Sequence, residues 1–189
     1  MAQSPFPNQQ LTSSQFVESC GAILFSLPRA PASNLEVCIL KYLLRDQYIL
    51  PKGRRNVGES RAAAALREVT EETGYTCKLL PVTMATRATD SKDDPGAGDR
   101  VRMIEESTEP FMVTVRQLGG EKGAKIIWWF IAVVSKTEDG SHGNGGEDQF
   151  QAEWYSCEDA VERLHFETDR DVLRTAISLV QETIKSGKY

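Results

Sequence analysis

No apolar run in the 189 residues approaches the roughly 20 that a membrane-spanning helix needs, so no such span is expected. The opening, "MAQSPFPNQQLTSSQ", lacks a basic start followed by a hydrophobic segment and does not read as a secretory signal. Cysteine is scarce: Cys20, Cys38, Cys77 and Cys157 are scattered, with no C-x-x-C pair. Three of them fall in apolar, strand-like runs, which favours buried reduced thiols over a disulfide framework and points to an intracellular protein, cytoplasmic with the nucleus also open. Histidine is scarcer still. His142 lies in a glycine-rich stretch and His165 near a helix end, so neither is a strong catalytic candidate. Positive charge is in deficit, with a net charge of −5, which argues against an extensive nucleic-acid-binding surface. There is no internal repeat.

What is present is the composition of one globular domain, 40% hydrophobic and 26% charged. Residues 1–15 read as a polar, mobile tail and 16–187 as a single domain. "SCGAILFSL" and "LEVCILKYLL" are β-rich runs separated by a turn-like segment. A helix is expected from about Arg61 to Thr73, with Ser60 as N-cap and Gly74 as its stop. Long loops are expected around 90–123, within which "EPFMVTV" has strand character, and around 138–150. "KIIWWFIAVV", from Lys125 to Val134, is the strongest strand, continuous enough to be central. A short strand, "AEWYS", then precedes two helices, the second from Asp171 to Lys185 with an apolar stripe. Strands before and after a central helix, with helices at the end, imply an α/β fold with a mixed sheet between helical layers.

The helix ends by crowding acids. Glu68 and Glu72 are neighbours at i, i+4, and Glu71 joins Glu68 at i, i+3. Two carboxylates about 5 Å apart repel by about 3 kcal/mol at an effective dielectric near 20. The negative end of the helix dipole adds to the strain. A solvated acidic face, with Arg67 paired to Glu71, is one reading of this pattern. The other is a divalent cation, Mg²⁺ or Mn²⁺, which takes hard oxygen ligands and bridges to substrate phosphate. The preceding loop favours the second, because Lys52, Arg54 and Arg55 are placed to clamp phosphate oxygens. The implied chemistry is metal-assisted attack of water on a phosphoanhydride.

The stretch is spaced as Gly53, five residues, Glu59, seven residues, Arg67-Glu68-Val69, one residue, Glu71-Glu72, one residue, Gly74-Tyr75. In every fixed position it resembles the Nudix box, the signature of hydrolases acting on a nucleoside diphosphate linked to another moiety. The resemblance implies an α/β/α sandwich around a mixed sheet. It implies that Glu68, Glu71 and Glu72 are the metal-binding and catalytic carboxylates, joined by the backbone oxygen of Gly53, and that Glu59 and Arg67 form an ion pair holding the loop to the helix. "LPKGR" and the Lys-then-Trp strand "KIIWWFIA" resemble the dinucleoside polyphosphate hydrolases. "EWYSCEDA" and the spread of basic residues resemble the diphosphoinositol polyphosphate phosphohydrolases.

Beyond the box, Lys125 is a further candidate for phosphate contact, with a solvated strand-end lysine as the alternative. Arg100 and Arg102 fit a surface role better than a place in the site. Glu147, Asp148 and Glu153 lie where the family sometimes supplies one more ligand or base. Trp128 and Trp129 read as core, on opposite faces of their strand. The expected function is Mg²⁺-dependent hydrolysis of a small polyphosphorylated substrate, a diphosphoinositol polyphosphate first and a dinucleoside polyphosphate second. A non-catalytic nucleotide or inositol phosphate sensor is the alternative of a different class. The sequence specifies no oligomeric state.

Overall fold

The computed structural model of the protein describes residues 5–27, 34–89, 98–119, 123–135 and 147–187. Ten strands and three helices are built from them: β1 (Phe16–Ser26), β2 (Glu36–Tyr42), β3 (Gln47–Ile49), β4 (Lys52–Arg54), α1 (Arg61–Thr73), β5 (Cys77–Leu79), β6 (Val82–Thr86), β7 (Arg102–Ser107), β8 (Met112–Gln117), β9 (Ala124–Val134), β10 (Phe150–Ser156), α2 (Cys157–Arg163) and α3 (Glu167–Lys185). The main sheet runs β10-β2-β1-β9-β5, with β3, β4 and β8 added beside β2, β1 and β9. Its axis is the parallel pair β1–β9, while its other pairings are antiparallel, so the sheet is mixed.

Strand alternation divides the core into two layers. Cys20, Ala22, Leu24 and Phe130 pack with Ala64, Ala65 and Val69 of α1. Ile23, Phe25, Ile127, Trp129 and Ile131 face the other way, onto Ala160 of α2 and Val172, Leu173, Ala176 and Val180 of α3. The expected α/β/α sandwich is what the chain forms. Trp129 is buried in the α3-side layer and Trp128 is packed against the α1-side layer. All four cysteines are free, three of them buried. Among the described residues, no helix is long and apolar enough to cross a membrane.

The structure changes several expected boundaries. Within the loop expected over 90–123, "EPFMVTV" does run into a strand, β8, which lies along β9 from Met112 to Gln117, and the segment also holds an unexpected strand, β7, which pairs with β6 in a separate two-stranded sheet. Their alternation is weak in sequence because their outward positions are themselves apolar, with Met103, Val113 and Val115 exposed. Helix α3 begins at Glu167, four residues before Asp171; Phe166 at its N-cap offers no side-chain hydrogen bond, so the usual start signal is missing. Of the expected tail, Gln15 is tied to the sheet by its carbonyl, which accepts from the Ala124 N–H at 2.9 Å. Most of the glycine-rich loop, including His142, lies outside the described residues.

Candidate active site

Helix α1 stands where its sequence puts it. Ser60 Oγ accepts from the Ala63 N–H at 3.1 Å, and Gly74 closes the helix in the left-handed conformation. The helix lies against β4, which pairs with only the first half of β1. The Arg55 N–H donates to the Glu18 carbonyl at 3.1 Å, so ladder alternation turns the backbone groups of Gly53 toward Cys20 and those of Lys52 and Arg54 outward. The side chains of α1 meet that open edge. The Lys52 N–H donates to Glu72 Oε2 at 2.7 Å, and Arg67 donates to the Arg54 carbonyl at 2.9 Å.

This register corrects the expectation for Gly53. Its carbonyl faces β1 rather than the acids, and the carbonyl on the open edge beside Glu72 belongs to Lys52. Gly53 is required for a different reason: a Cβ there would sit 1.7 Å from Glu68 Oε2. The strand has to be bare of side chain where that carboxylate rests.

Glu68 and Glu72 are only 8% and 7% exposed, whereas Glu71 is half exposed. Burial pushes the Glu72 carboxyl up to about 8, against which the charge and N–H of Lys52 work. Burial also raises Glu68, opposed by Arg67 and reinforced by Glu71 and Glu147. Glu147 comes from a segment distant in sequence: its N–H donates to the Glu71 carbonyl at 3.0 Å, bringing a fourth carboxylate to the helix end. Among the described residues, no three acidic, histidine or cysteine side chains converge as a ready metal cage. Arg67 explains this, since its guanidinium takes Glu68 at 2.7 Å and Glu71 at 2.8 Å and serves as their counter-charge. The donors are nonetheless the hard oxygens that Mg²⁺ or Mn²⁺ takes, and the buried Glu72, bonded to the Lys52 backbone N–H, has no ion pair among the described residues, so the residues fit a divalent cation.

Arg67 is also the joint of the loop. It donates through Nε and Nη2 to the two oxygens of Glu59 at 2.8 and 3.0 Å. Glu59 is held down to about 2, first by that guanidinium and then by the Asn56 N–H. Arg67→Ala is expected to cost about 2–4 kcal/mol of stability, because it leaves the buried Glu68 and the Arg54 carbonyl without their donor and Glu59 with only the Asn56 N–H. Arg67→Lys should recover less than half of this, since an ammonium cannot reproduce the fork. Urea denaturation of both variants measures the difference.

The basic residues divide. Arg55 is not available as a clamp: Glu18 takes its Nε and Nη2 at 3.0 Å each, and its Nη1 donates to the Asn56 and Glu59 carbonyls. Lys52, Arg54 and Lys125 have no ion pair among the described residues. Burial, then the charges of Lys52, Arg116 and Arg54, lowers Lys125 from the ordinary lysine range. Arg116, which the sequence did not single out, is thus part of the same cationic group. Glu153 lies elsewhere, accepting from Tyr48 Oη at 3.0 Å and from Tyr155 Oη. Arg102 belongs to the separate β6–β7 sheet, and His165 is paired with Gln47. Trp128 is covered by the Arg61 guanidinium 4.1 Å from its ring centre, and its Nε1 donates to Glu18.

An α/β/α sandwich that presents two buried carboxylates at the open edge of a mixed sheet is the class of protein defined so far. Within that class the chain belongs to the Nudix family: the NUDIX domain family model matches residues 38–176. The 8-oxo-(d)GTP phosphatase of Mycolicibacterium smegmatis (strain ATCC 700084 / mc(2)155) is 25% identical over 151 residues, 80% of this chain and 36% of that protein. The chain therefore spans about a third of the length of this curated relative. The C. elegans Ap4A hydrolase superposes with a TM-score of 0.56 at 17% identity, covering 87% of this chain and 98% of that one. A NUDIX hydrolase from Nitrosomonas europaea gives 0.52 at 13% identity, covering 84% and 86%. At these identities the two structures bear on the fold alone.

Proposed function

We propose that this protein is a Mg²⁺-dependent hydrolase that cleaves a phosphoanhydride bond in a small polyphosphorylated compound, with diphosphoinositol polyphosphates as the leading substrate class. The observation that carries the reading is the pairing of a buried, charge-deficient carboxylate site with unpaired cations beside it. Glu68, Glu72, Glu71 and Glu147 would hold the cation, together with the backbone at Lys52. When bound, the cation neutralises phosphate oxygens and lowers the pKa of water. Glu72 is anchored by the Lys52 N–H, while Glu68 is wedged between Arg67 and Gly53. Glu71, half exposed, or Glu147, exposed beside it, would accept the proton of the attacking water. Lys52, Arg54 and Lys125 would hold phosphate oxygens of the substrate. Water attacks phosphorus, the bridging P–O bond breaks, and two phosphate-bearing products leave.

A highly charged substrate is favoured over one selected by its base because none of the three tryptophans offers an open stacking face: Trp154 packs edge-on against Tyr75 with ring centres 5.3 Å apart. Trp129 is 1% exposed and Trp128 lies under Arg61. The second reading, a dinucleoside polyphosphate, draws on the C. elegans Ap4A hydrolase, whose fold this chain shares over most of its length.

The test is product release with Mg²⁺ from diphosphoinositol pentakisphosphate, diadenosine polyphosphates and 8-oxo-dGTP, with Glu72→Gln as the blank. Glu72-dependent turnover is expected, with kcat/KM for the inositol compound at least about tenfold above the others, a difference of about 1.4 kcal/mol. Preference for a dinucleotide would move the assignment to the second reading. Binding without turnover of any of the three would favour a sensor.

A further inference from the structure

Strand register places four cations on one face of one sheet. Across β4, β1, β9 and β8, one row reads Lys52, Gly21, Trp129, Met112, and the next reads Arg54, Ser19, Ile127, Thr114. The row beyond holds Val17, Lys125 and Arg116. Cross-strand partners point to the same side of a sheet. This side is opposite to α1, because Ile127 and Trp129 belong to the α3-side core and Trp129 Nε1 donates to Thr114 Oγ1 at 3.0 Å. Gly53, in register with Cys20, turns the other way, toward Glu68. The strand β4 therefore carries the acid site against one face and begins a basic surface on the other.

Two features of that basic face are unexplained by folding. Arg116 and Lys125 sit directly opposite each other on β8 and β9, an arrangement of like charges that destabilises a sheet when nothing lies between them. In the middle row, the Ser19 hydroxyl is fully buried and has no hydrogen-bond partner among the described residues. Buried hydroxyls in folded proteins are normally satisfied. Gly21 keeps the surface low, since a Cβ there would meet the Lys52 Cβ at 2.7 Å and the Trp129 ring at 2.8 Å. Two carboxylates face the group: Asp169, 5% exposed in the first turn of α3, whose carboxyl is bonded to the Leu50 N–H and feels the charges of Lys52 and Arg116, and Glu72, whose charge reaches Lys52 and Lys125 past the β4 edge. Two carboxylates against four cations leave a net positive cradle.

We propose that Lys52, Arg54, Arg116 and Lys125, around Ser19 on the α3 face of the sheet, form a distal anion subsite that takes a phosphate group remote from the bond being cleaved. This rests on the hydrolase reading and extends it: the substrate lies across the β4 edge, with its scissile anhydride on the α1 side and a second cluster of phosphates on the α3 side. Arg116 and Lys125 make the length and charge of the substrate matter. Short phosphoanhydrides would reach the acid site without touching this pair.

The experiment uses the full chain and inositol hexakisphosphate, a polyanion with no anhydride to cleave, titrated calorimetrically in EDTA at fixed ionic strength. Arg116→Ala and Lys125→Ala are each expected to weaken binding at least about tenfold, and Arg45→Ala, a surface control outside the group, to leave it within about twofold. Ser19→Ala should weaken binding at least about threefold while raising the Tm, because it removes an unsatisfied hydroxyl. In turnover, Arg116→Ala should raise KM about tenfold for the best polyphosphorylated substrate, with kcat within about threefold. Equal losses in Arg45→Ala, or unchanged binding in both Arg116→Ala and Lys125→Ala, would overturn the subsite. Failure of the hydrolase reading would look different: no Glu72-dependent turnover, with inositol hexakisphosphate binding still dependent on Arg116.

Discussion

Glu72→Gln is expected to abolish turnover and, in the same protein, to stabilise the metal-free fold above neutral pH. The first effect follows from the loss of a carboxylate from the proposed cation site. A bound metal contributes several kcal/mol of transition-state stabilisation, so kcat/KM should fall by about three decades or more. The second follows from burial. The Glu72 carboxyl sits at about 8 in the fold against an ordinary 4.5, so the folded protein holds a proton that the unfolded chain has released between those values. Stability from this group is complete below about 4.5 and is lost as pH rises through about 8. Glu68 shifts in the same direction. Metal-free wild type should therefore lose Tm between pH 5 and 8, and Mg²⁺ should restore it. The glutamine keeps an acceptor for the Lys52 N–H but has no proton to lose, so the Tm of the variant should vary less with pH and respond less to Mg²⁺. Calorimetric scans of both proteins with EDTA and with Mg²⁺ decide the matter. A wild-type Tm that rises from pH 5 to 8 in EDTA would contradict the account.

Gly53→Ala is the second large effect. One methyl group is added 1.7 Å from the position of Glu68 Oε2, so the carboxylate has to leave or β4 has to separate from α1. Displacing a reacting group by about 1 Å costs about 10²-fold in rate, and Glu68 would move further than that. A loss of at least about 10²-fold in kcat/KM is expected, together with weaker Mg²⁺ binding by calorimetry. Pairing with Glu68→Ala is informative. If the methyl acts only by evicting the Glu68 carboxylate, the double variant should be little worse than Glu68→Ala alone. Additive losses would mean that Gly53 matters through its backbone instead.

Part of the site was legible in the chain because it is local. The spacing of Glu59, Arg67, Glu68, Glu71 and Glu72 along a loop and one helix places these side chains relative to one another whatever the helix packs against. Ser60 and Gly74 cap that helix through contacts within a few residues of themselves. The alternation of the long apolar strands likewise set two faces for the sheet before any neighbour was known.

What the sequence left open depends on partners far apart in the chain. Arg55 looked equivalent to Arg54, but Glu18, 37 residues earlier, consumes its guanidinium. Gly53 looked like a backbone ligand, but its register with Cys20 turns its carbonyl inward and leaves the Lys52 carbonyl on the open edge. Glu147 and Glu153 were indistinguishable as an additional acid, and only the hydrogen bond to Glu71 brings the first to the helix end. Arg116 sits in a segment whose strand signal is faint, and its pairing with Lys125 is a fact of sheet register. The sequence by itself determined the acids, their order and the helix that carries them, because helical periodicity is set by the residues of the helix. The tertiary structure decided which charges are neutralised and which remain free, because that depends on contacts between strands that no local pattern encodes.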